Sequence, residues 1–128
     1  MIVAGIGCSK GVSAAQVIAA VDAALGAYGL KKTDLSALAT AAMKRDEQVI
    51  VQAGQSLGLE IVIVDEDVLR AAGARTLSRS QASLEASSLP SLSEAAALAA
   101  AGEGASLLGP RVAVGRVTCA LARDGEKA

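Results

Sequence analysis

Three short segments concentrate the residues able to do chemistry: Gly5-Ile6-Gly7-Cys8-Ser9-Lys10-Gly11, Lys44-Arg45-Asp46-Glu47 and Ser91-Leu92-Ser93-Glu94. In the first, glycines lie between an apolar run and an expected helix, where backbone N–H groups face a bound anion and the helix dipole favours negative charge. Two phosphate motifs fail there. The Rossmann fingerprint G-x-G-x-x-G has its last glycine one residue too late, and the next expected strand ends in Thr40 rather than an acid. The P-loop needs its lysine after the last glycine, whereas Lys10 precedes Gly11. An anion site of another kind, with Lys10 as its charge, stands against a plain βα turn whose glycine takes a positive φ. Cys8 reads either as a low-pKa thiolate at a helix N-terminus or as a small turn residue; without histidine beside it, the second reading is favoured.

In the second segment Lys44 is the natural contact for a carboxylate or phosphate. Ligands of open α/β sheets sit beyond the carboxyl ends of strands, so this turn is placed to share a crevice with the first loop. Glu47 is equally explained as a first-turn acid that complements the helix dipole, in an exposed charged turn. In the third segment Ser91 and Glu94 match a capping box, which accounts for both residues. Ser93 is left over, with a hydroxyl free to reach a ligand.

Composition narrows the chemistry. The chain has no histidine, so Ser-His and Cys-His nucleophile pairs and histidine metal sites are excluded within it. Cys8 and Cys119 are far apart and form neither a CxxC motif nor a disulfide framework. No metal and no cofactor is expected. Twelve basic residues face thirteen acidic ones, with no basic tract to follow a phosphate backbone. There is no Phe or Trp and one tyrosine, Tyr28, so base stacking has almost nothing to use. Nucleic acid is therefore not an expected partner. No run of ~20 apolar residues offers a membrane span, and the N-terminus reads as a strand rather than a signal peptide. A soluble, cytoplasmic protein is expected.

The elements that must position these segments follow from periodicity. Residues 2–6 are almost wholly apolar, as suits an internal strand covered on both faces. Ser13 and Gln16 form a capping box that opens a helix carrying Val17, Ile18, Val21, Leu25 and Tyr28, stopped by Gly29. Residues 36–40 read as a second strand, 47–57 as a helix with Val49, Ile50, Ala53 and Leu57 on one face, and 60–64 as a third strand. Asp65 caps a short helix through Ala72. Residues 76–93 hold seven serines and one proline, and read as an exposed loop with a short helix, or as a lid over a site. An alanine-rich helix then runs to Gly102. Residues 105–108 and 112–121 read as strands separated by Gly109-Pro110, an antiparallel pair that makes the sheet mixed. With 29 alanines and few bulky side chains, helices can approach the sheet closely. The expected architecture is one domain over residues 1–128: a compact three-layer α/β/α fold with a mixed sheet of about five strands.

The order and spacing of G-I-G-C-S-K-G-V-S at 5–13, A-L-A-T followed by K-R-D-E at 44–47, and S-L-S-E-A-A-A-L at 91–98 resemble the CobE family, itself similar to the C-terminal domain of CbiG. The resemblance spans nearly the whole chain. The family's first loop commonly has two arginines after the cysteine, where this chain has Ser9 and Lys10. Ala42 stands where the family often has an acid. The resemblance implies cobalamin (corrin-ring) biosynthesis. CbiG-type proteins open a lactone on the macrocycle and release a two-carbon fragment, whereas CobE-type proteins belong with the aerobic pathway. It also implies a precorrin intermediate as ligand, with other enzymes of the pathway as further partners. Gly7, Cys8, Ser9, Lys10, Gly11, Lys44, Glu47, Ser93 and Glu94 would form its binding site, with the glycine-loop amides, Lys10, Lys44 and Arg111 suited to its carboxylates. Small apolar residues would lie against the ring. An accessory or carrier role leads. The alternatives are a hydrolase or lyase using Lys10, Lys44 or Glu47 for proton transfer, and an oligomeric scaffold without ligand.

Overall fold

The computed structural model describes residues 1–8, 11–41, 47–73, 92–102 and 104–124. The elements are β1 (Ile2–Cys8), α1 (Ala14–Ala27), a 3-10 turn (Lys32–Asp34), β2 (Ala37–Ala41), α2 (Glu47–Leu57), β3 (Glu60–Val64) and α3 (Glu66–Gly73). They are followed by α4 (Leu92–Ala101), β4 (Ser106–Leu107), β5 (Val112–Val114) and β6 (Val117–Arg123). The strands form one mixed sheet in the order β3-β2-β1-β6-β4, with β5 also paired to β6. β1, β2 and β3 are parallel, and β6 runs antiparallel to β1 from Ile2↔Arg123 to Cys8↔Val117. The apolar first strand is internal, as its lack of a polar face requires.

Alternation along the strands sends side chains to two cores. Ala4, Ile6, Leu38, Val117, Cys119 and Leu121 pack with Val17, Val21 and Leu25 of α1 and Ile50 and Ala53 of α2. Val3, Ala39, Ala120 and Ala122 pack on the other face with Leu69 of α3 and with Ala95, Ala97, Leu98 and Ala101 of α4. Helices therefore cover both faces, giving the three layers expected from the sequence.

Local signals explain the boundaries. The Ser13–Gln16 capping box is formed, with Gln16 N–H donating to Ser13 Oγ at 3.2 Å and Ser13 N–H to Gln16 Oε1 at 2.8 Å. α1 closes with Leu30 N–H donating to Leu25 O and Gly29 N–H to Gly26 O. α2 closes in the same way, from Leu59 to Gly54 and from Gly58 to Gln55.

Two expectations need correction. Gly7 and Cys8 do not begin the loop; both lie in β1, paired with Thr118 and Val117, because β6 is long enough to keep the ladder going. Residues 112–121 are not one strand. Gly115, at φ +59°, and Arg116 fold them into a tight β5–β6 hairpin, with Val114 paired to Val117. β4 and β5 consequently do not pair with each other, and each adds to β6. The serine-rich stretch read as loop or lid lies outside the described residues, apart from Leu92 and Ser93 in α4.

Candidate functional site

In a parallel unit the strands end on the same side, so β1 and β2 deliver Cys8 and Ala41 to one edge of the sheet. Threonines of both neighbouring strands hold the end of β1. Thr40 Oγ1, buried in β2, donates to Ile6 O at 3.3 Å, and Thr118 Oγ1 in β6 donates to Gly7 O at 3.3 Å.

The first turn of α4 crosses β1 three residues before that end, at Gly5. A Cβ added at Gly5 would stand 2.6 Å from Ala97 N and 2.9 Å from Ala97 Cβ, and would also collide with Ser93 O. Ser93 O and Ala97 N are the i and i+4 groups of one helical turn, so the backbone of β1 lies directly beneath that turn. Gly5 thus serves neither an anion-binding loop nor a positive φ. It is a strand residue that lets a helix lie on the sheet without a side chain between them. The glycine that does take a left-handed conformation is Gly11, at φ +84° before α1.

Ser93 and Glu94 are both buried, at 1% and 0% exposure. Glu94 accepts a hydrogen bond from the Arg111 backbone N–H at 2.8 Å. This carboxylate therefore ties α4 to the loop before β5. That loop is fastened on its other side, where Tyr28 Oη donates to Pro110 O at 2.8 Å. A Cβ at Gly109 would fall 2.7 Å from the Tyr28 ring, so the glycine admits the tyrosine. Tyr28 and Arg111 thus brace the start of α4 through the segment 109–111. Sequence reading missed this role for Tyr28, because nothing local in the chain links residues 28, 94 and 110. Ser93 Oγ is the exception: buried, it has no hydrogen-bond partner among the described residues.

Of the residues singled out from the sequence, Gly7 and Cys8 form the end of β1, and Ser93 and Glu94 belong to the first turn of α4, which crosses β1 at Gly5. Gly11 lies just beyond, before α1, and Glu47 opens α2 after β2. Ser9, Lys10, Lys44, Arg45, Asp46 and Ser91 lie outside the described residues. The other cysteine, Cys119, points into the α1/α2 core, where burial pushes its thiol up to about 12. Such a thiol is neither nucleophile nor metal ligand at neutral pH. Among the described residues no three acidic or cysteine side chains stand close enough to hold a metal ion, and no helix is long and apolar enough to cross a membrane.

A mixed sheet with helices on both faces defines the class of three-layer α/β folds. Within that class, residues 2–122 match the family model described as cobalamin synthesis G C-terminus, and the chain belongs to this family of cobalamin-biosynthesis proteins. It is 29% identical over 121 residues to protein CobE of Sinorhizobium sp., covering 94% of this chain and 79% of that protein. The crystal structure of CobE, a protein from the cobalamin (vitamin B12) biosynthetic pathway, superposes with a TM-score of 0.90 at 38% identity, over 96% of this chain and 89% of that one. The cobalamin biosynthesis protein chiG of Agrobacterium tumefaciens str. C58 is 48% identical with a TM-score of 0.79, over 98% of this chain and all of that one.

Proposed function

We propose that this cobalamin-biosynthesis protein binds a corrin-ring intermediate where β1 and β2 end under α4, and serves the pathway as an accessory or carrier protein. The observation that supports this reading is the close approach of the first turn of α4 to Gly5 of β1, beside the parallel strand β2. A corrin precursor is an apolar ring rimmed with acetate and propionate carboxylates. Helix-end N–H groups suit those carboxylates. The enzymes that make and consume the intermediate would be the further partners. Lys10 and Lys44 flank the strand ends in sequence and supply the cations of this reading.

The test is co-purification with a panel of corrin intermediates, read by visible absorption. A coloured complex with one intermediate, its spectrum unchanged on standing, is the expected result. Lys10→Ala and Lys44→Ala should each weaken it by roughly 1–3 kcal/mol, and less at high salt. A protein that stays colourless across the panel overturns the proposal, and steady conversion of the bound intermediate would make the chain an enzyme instead.

A further inference from the structure

The sheet edge is interrupted between β4 and β5, and the interruption is held from both helix layers. Leu107 packs into the core under α4 and Leu108 into the core under α1, while Leu108 N–H donates to Leu121 O of β6. Just beyond, Tyr28 Oη at the C-cap of α1 donates to Pro110 O at 2.8 Å, and Arg111 N–H donates to Glu94 Oε2 of α4 at 2.8 Å. Pro110 O and Arg111 N are the two ends of a single peptide group. Among the described residues no peptide bond is cis, so the carbonyl and the N–H of that group point in opposite directions, one toward each layer. Pro110 fixes its own φ, and Gly109 leaves room for the Tyr28 ring.

We propose that the 110–111 peptide is a conformational coupler, which carries the position of the first turn of α4 across the sheet to the end of α1. The chain of bonds runs from the Tyr28 hydroxyl to a carbonyl, through the amide to its N–H, and on to a fully buried carboxylate. The charge of Glu94 draws the Arg111 amide proton, the peptide polarises, and its carbonyl becomes a better acceptor for Tyr28. Each hydrogen bond therefore strengthens the other. A shift of α4 on β1, where Gly5 leaves the two backbones in contact, is registered at Tyr28 on the opposite side of the sheet, and a change at Tyr28 is registered at α4. The coupler does not depend on what the protein binds.

The experiment compares Tyr28→Phe, Glu94→Gln and the double variant of the full chain by urea unfolding and by amide resonances. Tyr28→Phe should lower the folding equilibrium constant about fivefold, as for one lost hydrogen bond. In the Glu94→Gln background the acceptor keeps its shape but loses its charge, and the same change should cost no more than about twofold. Equal losses in both backgrounds mean that the two bonds are independent, and overturn the coupler. The second readout leaves Glu94 intact, so it decides the matter even where Glu94→Gln does not fold. Loss of the Tyr28 hydroxyl should move the Arg111 amide proton upfield and shift the amides of Glu94 through Ala97, although its hydrogen bond is to the carbonyl end of the peptide. Asp22→Asn breaks the ion pair with Lys32 on the same helix as Tyr28, and should leave those amides in place. Unmoved Arg111 and α4 amides in Tyr28→Phe overturn the proposal, as do equal shifts from Asp22→Asn.

Discussion

One face of the sheet meets α4 backbone to backbone at Gly5, and the other meets its helices through branched side chains. Under α4 the strands offer Gly5, Ala39, Ala120 and Ala122, and α4 answers with Ala95, Ala96, Ala97 and Ala101. Under α1 and α2 they offer Ile6, Leu38, Val117 and Leu121 against Val17, Val21, Leu25 and Ile50. The second arrangement resembles most protein interiors, where bulk supplies buried area and rotamers supply fit. The first gives up that bulk for position. It fixes where the start of α4 lies relative to the ends of β1 and β2, and the candidate site is built there. Among the described residues the buried polar groups are Thr40 of β2 and Ser93 and Glu94 of α4. Ser93 and Glu94 belong to the alanine face, while the other face buries a thiol that never ionises at neutral pH.

The largest expected effect breaks the close face directly. In Gly5→Ala the new methyl meets backbone on α4, Ala97 N at 2.6 Å as well as Ser93 O, and neither can rotate away. Helix and strand must separate, costing about 3 kcal/mol or more, at the upper end of overpacking. Urea melts measure the loss, and amide shifts should spread from Ser93 through Ala97. A variant as stable as the parent would mean that α4 does not rest on Gly5 at all.

That glycine also shows what was legible in the sequence. α2 and β3 were readable to the residue, and α1 by its capping box, because periodicity and caps are local. The internal place of β1 followed from its uniform apolarity. Gly5 was legible as part of the first strand but its purpose was not, because only the non-local contact with α4 supplies it. The β5–β6 hairpin was hidden because Gly115-Arg116 interrupts a run of strand formers with a single turn glycine. The bracing of Glu94 by Arg111 and Tyr28 joins residues far apart in the chain, and no pattern within a window can report it. Ser93 was left over once the capping box was assigned, and the structure leaves it over too.

A second, smaller effect sharpens the comparison from the bulky side. Burial raises the Cys119 thiol to about 12 from 9.0. Between those values the unfolded chain releases a proton that the folded chain keeps, so this group's contribution is intact below pH 9 and lost as pH rises toward 12. The slope approaches about 1.4 kcal/mol per pH unit. Cys119→Ala lacks that slope. Its deficit relative to the parent, set by the small cavity it leaves, should therefore shrink between about pH 7 and about pH 10.5 in paired urea melts. A deficit constant over that range would show that the thiol titrates as if exposed, and that the face beneath α1 and α2 is not dry.

The smallest effect is the counterpart of the largest. Gly54 in α2 also lacks room for a Cβ: the added atom would stand 3.0 Å from Ile61 Cγ1, 3.2 Å from Leu59 O, and against the Ile61 Cδ1 methyl. The chemistry of the neighbour differs from that at Gly5. Ile61 is only half-buried and its side chain ends in a rotatable methyl, so it can turn toward solvent at a cost of about 0.5–1.5 kcal/mol. Leu59 O needs to move by only a few tenths of an ångström. Against this, alanine is better than glycine inside a helix by about 1 kcal/mol. The two terms nearly cancel, so Gly54→Ala should leave stability within about 1 kcal/mol of the parent, and the Ser93 amide unshifted. The same Gly→Ala change then separates the faces: severe where a helix backbone is the neighbour, near neutral where a side chain is. If Gly54→Ala costs as much as Gly5→Ala, the α2 face is as closely packed as the α4 face, and the division of labour between them fails.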